Sequence, residues 1–263
     1  MIIGLLASRG GRGRSPLAYA LAKLKAKEEE TYLYEFDVAY PRLLDLFPWK
    51  GETVYRQLPK IEEQKCTLAR KCFDTCRFGA MQEKEGRPWH REALCRGCGM
   101  CREVCPSKAI SWAKVRAGEI GEAQEGRLIL YGGRLDKNQA WEGFLIRQIK
   151  ERFPVEGKTA VLKAPLGLGA LSLRAVKEAE FLLLVTDLHP ALEEEISTFG
   201  QILQGFGLSG GIILNQESVP KDLEAKIQAW GLKLWAIPKV SFEEASPSWE
   251  RIGQEIWSQG GTS

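Results

Sequence analysis

The sequence has no long apolar run, no strong charge imbalance and few histidines. No segment approaches the roughly 18 consecutive apolar residues that a membrane span requires, so we expect no membrane span. A formal net charge of +3 at pH 7 is too small to favour nucleic acid or an anionic membrane as the main partner. The two histidines, His90 and His189, are isolated and predict no catalytic triad. The first residues, Met1–Ala7, lack the features of a secretory signal, and we therefore predict a cytoplasmic protein.

Cysteine is absent from both ends of the chain. All seven cysteines lie between Cys66 and Cys105. An odd number of cysteines confined to one segment of a cytoplasmic chain is not typical of a disulfide framework. The pattern favours metal ligation.

Outside the cysteine segment, strands alternate with helices. Ile2–Ala7 reads as a buried parallel strand, followed by a glycine-rich turn, a helix opening at Ser15-Pro16 and a second strand over Thr31–Phe36. The alternation resumes after Gly126 and predicts an α/β fold, a mostly parallel sheet with helices on both faces. The later strands are predicted at 127–131, 159–163, 181–186, 210–214 and 233–237, and the later helices at 138–153, 170–179, 190–206, 220–230 and 248–257.

The downstream cysteines match the bacterial ferredoxin pattern residue for residue. Cys95-x2-Cys98-x2-Cys101-x3-Cys105 is followed by Pro106. In that pattern three thiolates on a tight loop hold one iron–sulfur cluster, and the fourth cysteine ligates the other cluster. Thiolates also suit zinc, so structural zinc or free thiols stay as alternatives. The segment therefore predicts an inserted α+β domain of the bacterial ferredoxin type.

The upstream half of the pattern lacks one cysteine. Cys66, Cys72 and Cys76 are present, but Ala69 stands at the second ligand position. One cluster then takes Cys95, Cys98, Cys101 and, across the pseudo-repeat, Cys76, which predicts a complete [4Fe-4S] centre. The other takes only Cys66, Cys72 and Cys105, which predicts a [3Fe-4S] cluster or a [4Fe-4S] cluster whose fourth iron binds solvent or an outside ligand. Asp74 as a substitute ligand and an empty site are the alternatives.

Several motifs in order along the chain resemble the MinD/ParA/NifH group of P-loop ATPases, in the branch with an inserted two-cluster ferredoxin domain. They are the turn at 9–15, Asp37-Val38-Ala39-Tyr40-Pro41, Ala164-Pro165-Leu166-Gly167, Val185-Thr186-Asp187, Leu214-Asn215 and Ile237-Pro238. The resemblance implies an ATPase-like domain over 1–58 and 113–263 and an inserted ferredoxin-like domain over 59–112.

The resemblance also implies a nucleotide site, and this chain departs from it. The family's turn cradles phosphates on backbone amides at a helix N-terminus. The implied cofactor-binding residues are Arg9, Gly10, Gly11, Arg12, Gly13, Arg14, Ser15, Asp37, Lys163 and Asn215. Arg9 and Arg14 replace the family's two lysines, Glu35 replaces one aspartate and Lys163 another. A lysine repels Mg²⁺ from its site, so the substitutions imply a degenerate ATPase. Lys163 pairing with Glu35 or Asp37 is a hypothesis, ATP or ADP binding stays open, and an active enzyme with unusual residues is the alternative.

The combined interpretation is an iron–sulfur redox or cluster-carrying subunit on a non-hydrolysing nucleotide-type domain. No residue is assigned a catalytic role. The resemblance implies a homodimer or a heterodimer with a related ATPase, together with a redox partner protein or cluster acceptor. An ATP-dependent low-potential electron donor and a carrier for iron–sulfur or metal-cofactor assembly are the two alternatives.

Overall fold

The computed structural model describes residues 1–11, 13–137, 139–216, 218–237 and 247–259. The chain divides into two compact units. The first comprises Met1–Gly51, Ile120–Arg134 and Ile146–Ser263, and the second comprises Glu52–Glu119 and Leu135–Leu145. Arg12 and Pro238, both named in the motifs above, lie outside the described residues.

The strands follow one another along the chain as predicted for an α/β protein, with additions in and around the cysteine segment. In chain order they are β1 Ile2–Leu6, β2 Thr31–Glu35, β3 Lys50–Ile61, β4 Met81–Lys84, β5 Arg87–His90, β6 Ile110–Glu125, β7 Leu128–Leu135, β8 Ala160–Lys163, β9 Phe181–Thr186, β10 Ser209–Leu214 and β11 Lys233–Ala236.

The helices are α1 Arg14–Ala26, α2 Lys71–Asp74, α3 Met100–Glu103, α4 Glu142–Arg152, α5 Ala170–Ala175, α6 Leu192–Phe206, α7 Lys221–Ala229 and α8 Pro247–Ser258. Short 3₁₀ turns occur at Leu44–Leu46, Glu63–Lys65 and Glu92–Leu94. In the described part of the chain, no helix is long and apolar enough to cross a bilayer.

The main sheet has nine strands in the order β11-β10-β9-β1-β8-β2-β7-β6-β3. Parallel pairing joins β1 to β8 and β9, β2 to β7 and β8, and β10 to β9 and β11. Because only two residues separate β6 from β7, those neighbouring strands must run antiparallel. The α/β fold with a mostly parallel sheet, predicted from the sequence, is confirmed.

The sheet of the first unit is buried between helices. All five residues of β1 and all six of β9 are buried, as expected for central strands with both faces covered. On one face, Leu17 and Leu21 of α1 and Trp249 and Ile256 of α8 join the strands in one apolar cluster. This packing fixes the end of β1 and the start of α1, between which the glycine-rich turn lies.

The second unit contains the cysteines. Its short β4–β5 hairpin pairs Met81 with His90. Trp141 is buried beside Leu58, Ala80, Cys95 and Ala117, and its indole nitrogen donates to the Glu92 carbonyl at 3.3 Å. The unit therefore has a small apolar core of its own that includes a cysteine.

Four strands were missed from the sequence, and two of them, β4 and β5, lie wholly inside the cysteine segment. The chain from about Pro59 to Trp112 was expected to have little periodic structure, but β3 ends at Ile61 within it and β6 starts at Ile110 within it. Both of these strands have a mostly exposed or half-exposed face, and their charged residues hide the alternation that marks a strand.

The second unit also includes residues 52–58, 113–119 and 135–145, which the sequence assigned to the ATPase-like domain.

Candidate functional sites

Four cysteines line one cavity in the second unit. They are Cys76, Cys95, Cys98 and Cys101, with Pro59, Phe78, Ala80, Met81, His90 and Met100 among the other lining residues. Burial raises the pKa of the Cys101 thiol to about 11, and the nearby thiols of Cys95, Cys98 and Cys76 add to the rise. In the described residues, no three His, Cys, Asp or Glu side chains form a site for a single metal ion. The donors instead surround a space, as thiolates do when each binds a separate iron of one cluster.

Backbone amides point at two of these sulfurs. The Ala80 amide donates to Cys76 Sγ at 3.3 Å, and the Gly97 amide donates to Cys95 Sγ at 3.3 Å. Gly97 and Gly99, on either side of Cys98, have φ values of 69° and 79°. Glycine adopts this left-handed conformation without the clash that a Cβ causes, so the local sequence lets the loop bend sharply around Cys98. Such amides stabilise negative charge on thiolates and cluster sulfurs.

The other three cysteines form a second group. Burial raises the pKa of Cys72, and the Cys105 and Cys66 thiols add to that rise. Burial alone also raises the pKa of Cys105, but contacts from the Ser107 hydroxyl and the Ala109 amide outweigh burial and lower it. The Ala109 amide lies 3.3 Å from Cys105 Sγ. The structure thus brings Cys105 to Cys66 and Cys72, and Cys76 to the downstream three.

The two cysteine loops share an unusual backbone. Leu68 and Arg70 have φ values of 56° and 60° and flank Ala69, just as the positive-φ glycines 97 and 99 flank Cys98. Residues with a Cβ rarely adopt this conformation, which costs roughly 1–2 kcal/mol each. The depleted loop therefore keeps the shape of the complete loop, although its ligand position holds an exposed alanine.

In the first unit, a cavity of about 610 Å³ lies beside the glycine-rich turn. Eight of the ten residues that the family resemblance implied line it: Arg9, Gly10, Gly11, Gly13, Arg14, Ser15, Asp37 and Lys163. Asn215 lies near the turn, since a Cβ added to Gly13 would be 3.5 Å from its side-chain nitrogen. Tyr40, Arg42 and Leu166 also line the cavity; Tyr40 and Leu166 stand in the motifs quoted above without a predicted role, whereas Arg42 lies in a loop that no pattern in the sequence marks.

An ion pair lies at the carboxyl ends of two neighbouring strands in this unit. Glu35 ends β2, Lys163 ends β8, and the parallel register places them side by side. Lys163 Nζ donates to both Glu35 oxygens at 2.7 and 2.8 Å, and it lies 3.7 Å from Asp37 Oδ2. Glu35 and Lys163 are 0% and 1% exposed. Burial raises the pKa of Glu35, and Lys163 opposes that rise.

Arg14 completes the ion network. Its guanidinium donates to Asp37 Oδ2 at 2.9 Å and to the Pro165 carbonyl at 2.8 Å. Burial lowers the pKa of Arg14, and the carboxylates of Asp37 and Glu35 oppose that change. The amides of Asp37 and Leu43 donate to the Glu35 oxygens at 3.0 and 3.1 Å. Two cations and two carboxylates are thereby matched, and Arg14 is directed towards protein groups.

Another buried carboxylate, Glu195, holds the start of the glycine-rich turn. Glu195 of α6 accepts hydrogen bonds from the Ser8 amide at 3.2 Å and the Thr186 hydroxyl at 2.8 Å, and its other contact is His189 Nε2 at 2.7 Å. The Ala191 amide donates to His189 Nδ1 at 3.2 Å, so the ring hydrogen that faces Glu195 is on Nε2. Burial alone raises the pKa of Glu195, but these hydrogen bonds outweigh burial and lower it. In the sequence His189 is isolated, and nothing there predicts this contact with Glu195.

Three comparisons with known protein sequences match parts of the chain. Residues 88–111, which include the downstream cysteine run, match the 4Fe-4S binding domain family. The uncharacterized protein MJ0578 of Methanocaldococcus jannaschii is 29% identical over 192 residues, covering 71% of this chain and 67% of that protein. The indolepyruvate oxidoreductase subunit IorA of Methanothermobacter marburgensis is 32% identical over 71 residues, which are 27% of this chain and only 11% of that subunit.

Solved structures match nearly the whole chain. The septum site-determining protein MinD of Pyrococcus horikoshii, complexed with Mg-ADP, has a TM-score of 0.57 at 14% identity, covering 97% of this chain and 95% of that one. The cell division ATPase MinD of Pyrococcus furiosus has a TM-score of 0.53 at 15% identity, with 98% of both chains covered. The resemblance stated from the motifs is therefore confirmed in the fold and in the iron–sulfur segment. This chain has the fold of the MinD/ParA-type P-loop ATPases and carries a 4Fe-4S binding domain between the second and seventh strands.

Proposed function

We propose that this chain is a redox or cluster-carrying subunit whose nucleotide-type domain does not hydrolyse ATP. The observation that carries the proposal is the single cavity lined by Cys76, Cys95, Cys98 and Cys101. Four thiolates are the complete protein ligand set of a [4Fe-4S] cluster. The similarity of a 71-residue stretch to an oxidoreductase subunit supports a redox role.

The residues around the cavity suit a cluster that exchanges single electrons. A bound [4Fe-4S] cluster supplies one-electron transfer at a potential set by hydrogen bonds, burial and charge. Here the Ala80 and Gly97 amides donate to ligand sulfurs. Cys95 and Cys101 are buried, whereas Cys98 is exposed. Electrons would therefore enter or leave the cluster on the side of the exposed Cys98.

The three-cysteine group holds the second cluster, a [3Fe-4S] cluster or a [4Fe-4S] cluster with one exchangeable iron. Cys66, Cys72 and Cys105 supply three thiolates, and Ala69 supplies none. The left-handed backbone at Leu68 and Arg70 supports an occupied site. A loop without a cluster has no reason to keep two residues with a Cβ in a conformation that costs roughly 1–2 kcal/mol each.

The ion network disfavours magnesium in the first unit. Phosphoryl transfer needs a metal ion to neutralise the developing charge. The ammonium of Lys163 contacts Glu35 and lies near Asp37, where it repels a divalent cation. Arg14 is bound to Asp37 and to the Pro165 carbonyl, so it does not reach towards phosphates as the family's lysine does.

A nucleotide could still bind in the cavity beside the glycine-rich turn. Gly11 and Gly13 have φ values of 77° and 76°, which gives the loop the tight bend that a phosphate cradle needs. Arg9, Arg12, Ser15 and Asn215 are the further residues that we propose for ATP or ADP. Binding without hydrolysis would make the nucleotide a structural ligand.

We further propose that the first unit mediates pairing with a second copy or with a related, competent ATPase, and that the iron–sulfur unit meets a redox partner or cluster acceptor. The MinD-type fold supports the first part, and the exposed Cys98 supports the second. Analytical ultracentrifugation of the full chain, with and without ATP, tests the pairing, and a monomer under both conditions argues against a homodimer.

The first experiment is electron paramagnetic resonance (EPR) spectroscopy with iron and sulfide counts on anaerobically purified full chain, before and after dithionite. We expect a reducible [4Fe-4S] signal beside a [3Fe-4S] signal in the oxidised protein. A protein with zinc and no inorganic sulfide would refute the proposal. A single [4Fe-4S] centre would retain the redox role and refute the second cluster.

A variant that restores the missing ligand tests the second cluster. Ala69→Cys should convert the [3Fe-4S] signal into a second reducible [4Fe-4S] signal and raise the iron count by about one per chain, because a cubane has four irons. Thr67→Cys places a thiol in the same loop away from the ligand position and serves as the control. If both variants behave alike, the three-cysteine site is not a depleted cubane site.

Hydrolysis is tested by measuring phosphate release from ATP with and without Mg²⁺. We expect no Mg²⁺-dependent turnover above background in the isolated chain. Turnover that disappears in Arg14→Ala would show an active site and overturn this part of the proposal.

The three-thiolate group also favours a second function, a carrier in iron–sulfur assembly. An iron without a protein ligand is exchangeable, so the cluster could move to an acceptor. Incubation with an apo-ferredoxin separates the two functions: stable, reversible clusters indicate electron transfer, whereas cluster loss to the acceptor indicates delivery. An ATP-driven reductase is less well supported, because it requires the Mg²⁺ site that Lys163 disfavours.

A further inference from the structure

His90 lies at the end of β5, where the hairpin is tied to a ligand loop. It pairs with Met81 of β4, and the next residue, Arg91, donates its amide to the Ala80 carbonyl at 2.7 Å. Ala80 in turn donates its own amide to Cys76 Sγ at 3.3 Å. Two hydrogen bonds, each donated by a backbone amide, therefore connect the segment that carries His90 to a sulfur of the four-cysteine cavity.

The His90 side chain is one of the groups that line this cavity. Its Nε2 atom is buried and has no hydrogen-bond partner among the residues that the structure describes. A buried polar atom without a partner costs about 1–3 kcal/mol, and native proteins keep very few such atoms without a reason. The neighbouring strand residue, Trp89, faces the other way and is 44% exposed, as strand alternation requires.

The charge state of the ring suits a donor. Burial lowers the pKa of His90, although Glu92 opposes the change. The imidazole is therefore neutral near pH 7 and carries one N–H. His90 lines the same cavity as Cys76, Cys95, Cys98 and Cys101, and the unpartnered atom is Nε2, so a sulfur held in this cavity is an acceptor that an N–H on Nε2 could meet.

We propose that His90 Nε2 donates its hydrogen to a sulfur of the cluster held by the four cysteines, and thereby sets the reduction potential of that cluster. The inference rests on the proposed function, since it needs a [4Fe-4S] cluster in this cavity. His90 is a positioning residue that acts through the cluster sulfur and touches no substrate.

The direction of the effect follows from charge. Reduction adds one electron to the cluster, so its sulfurs become stronger acceptors. A hydrogen bond to a charged acceptor is stronger than one to a neutral acceptor, and the donor therefore stabilises the reduced form more than the oxidised form. Removing the donor lowers the potential.

The test is an anaerobic redox titration of the full chain, following the EPR signal of the reduced [4Fe-4S] cluster. His90→Phe keeps a ring but has no donor, and it should lower the equilibrium constant for reduction about tenfold, which is about 59 mV for one electron. His90→Gln keeps an N–H and should restore part of the shift. Trp89→Phe, on the opposite face of the same strand, should leave the potential unchanged. An unchanged potential in His90→Phe, at the same iron content, overturns the inference.

A second measurement keeps the inference testable if His90→Phe loses its cluster. In wild-type protein labelled with ¹⁵N-histidine, pulsed EPR of the reduced cluster should detect one weakly coupled nitrogen. His189→Gln should retain that coupling, because it leaves the iron–sulfur unit unaltered. A normal [4Fe-4S] signal without nitrogen coupling refutes the role of His90 alone, whereas absence of the [4Fe-4S] signal refutes the proposed function.

Discussion

Replacing Lys163 with methionine should destabilise the first unit strongly, because it leaves Glu35 buried without its counter-ion. The two groups are 1% and 0% exposed, and the shorter of their two N–O distances is 2.7 Å. Removing one partner of a buried ion pair costs about 3–5 kcal/mol. Methionine fills a similar volume, so a cavity contributes little to the expected loss.

The loss should depend on pH. Burial raises the pKa of Glu35 above its usual value of 4.5, and Lys163 opposes the rise, so the pKa in the variant is higher than in the wild type. A carboxyl group with a raised pKa binds more protons in the folded state than in the unfolded state. The free energy of unfolding of Lys163→Met therefore falls as pH rises from about 4.5 through the folded-state pKa.

Urea unfolding, followed by tryptophan fluorescence at several pH values between 5 and 8, measures both effects. Lys23→Met is the matched control, because Lys23 is 54% exposed and pairs with Glu125 at 3.4 Å. A surface pair of this kind contributes at most about 1 kcal/mol. If Lys163→Met loses no more stability than the control and shows no pH dependence, the buried ion pair is not what stabilises this end of the sheet.

Two more predictions concern other parts of the chain. Burial alone would raise the pKa of Glu195, but the effect of its hydrogen bonds outweighs that of burial, so the pKa is lowered. The stability that ionised Glu195 contributes is therefore present above about pH 4.5 and is lost as pH falls. Glu195→Gln should reduce stability near pH 7 by about 1–3 kcal/mol and flatten the acid limb of the stability profile, as measured by thermal unfolding. Gly99→Ala should lower the iron content of the [4Fe-4S] site, since Gly99 has a φ of 79° and an added Cβ would lie 3.1 Å from Trp112. Gly86→Ala is the control, because Gly86 has a φ of 75°, open space around it and a position away from the ligand loops. This variant has similar backbone strain and should retain its iron. Equal iron loss in both variants would refute a local cause.

The sequence predicted the chemistry of the second unit better than its structure. Cysteine spacing is a direct consequence of cluster geometry, so the downstream run matches the 4Fe-4S binding domain family. The strands β3 and β6 were missed because exposed charged residues, such as Lys60 and Lys114, interrupt their apolar pattern. His90 is isolated in the sequence, and no local pattern shows that pairing of the β4–β5 hairpin places it at the cavity lined by the four cysteines.

In the first unit, the sequence identifies which residues differ from the family pattern, but it does not predict where their side chains point. The hypothesis that Lys163 pairs with Glu35 or Asp37 agrees with the observed contacts. The direction of Arg14 could not be predicted, because it depends on a carbonyl at Pro165 that is 151 positions away along the chain. Long-range contacts of this kind come from strand order, which local patterns do not encode.

Three of the four substitutions, Arg14, Glu35 and Lys163, are electrostatically coupled through Asp37. Glu35 and Asp37 are two buried carboxylates, and Lys163 and Arg14 are the two cations that match them. Replacing Lys163 with aspartate alone would leave three carboxylates beside one arginine, which is costly without a metal ion. Keeping Lys163 while Mg²⁺ enters would add two positive charges to a site that is already neutral. Each of these single changes is thus unfavourable, because the two cations and two carboxylates already balance one another.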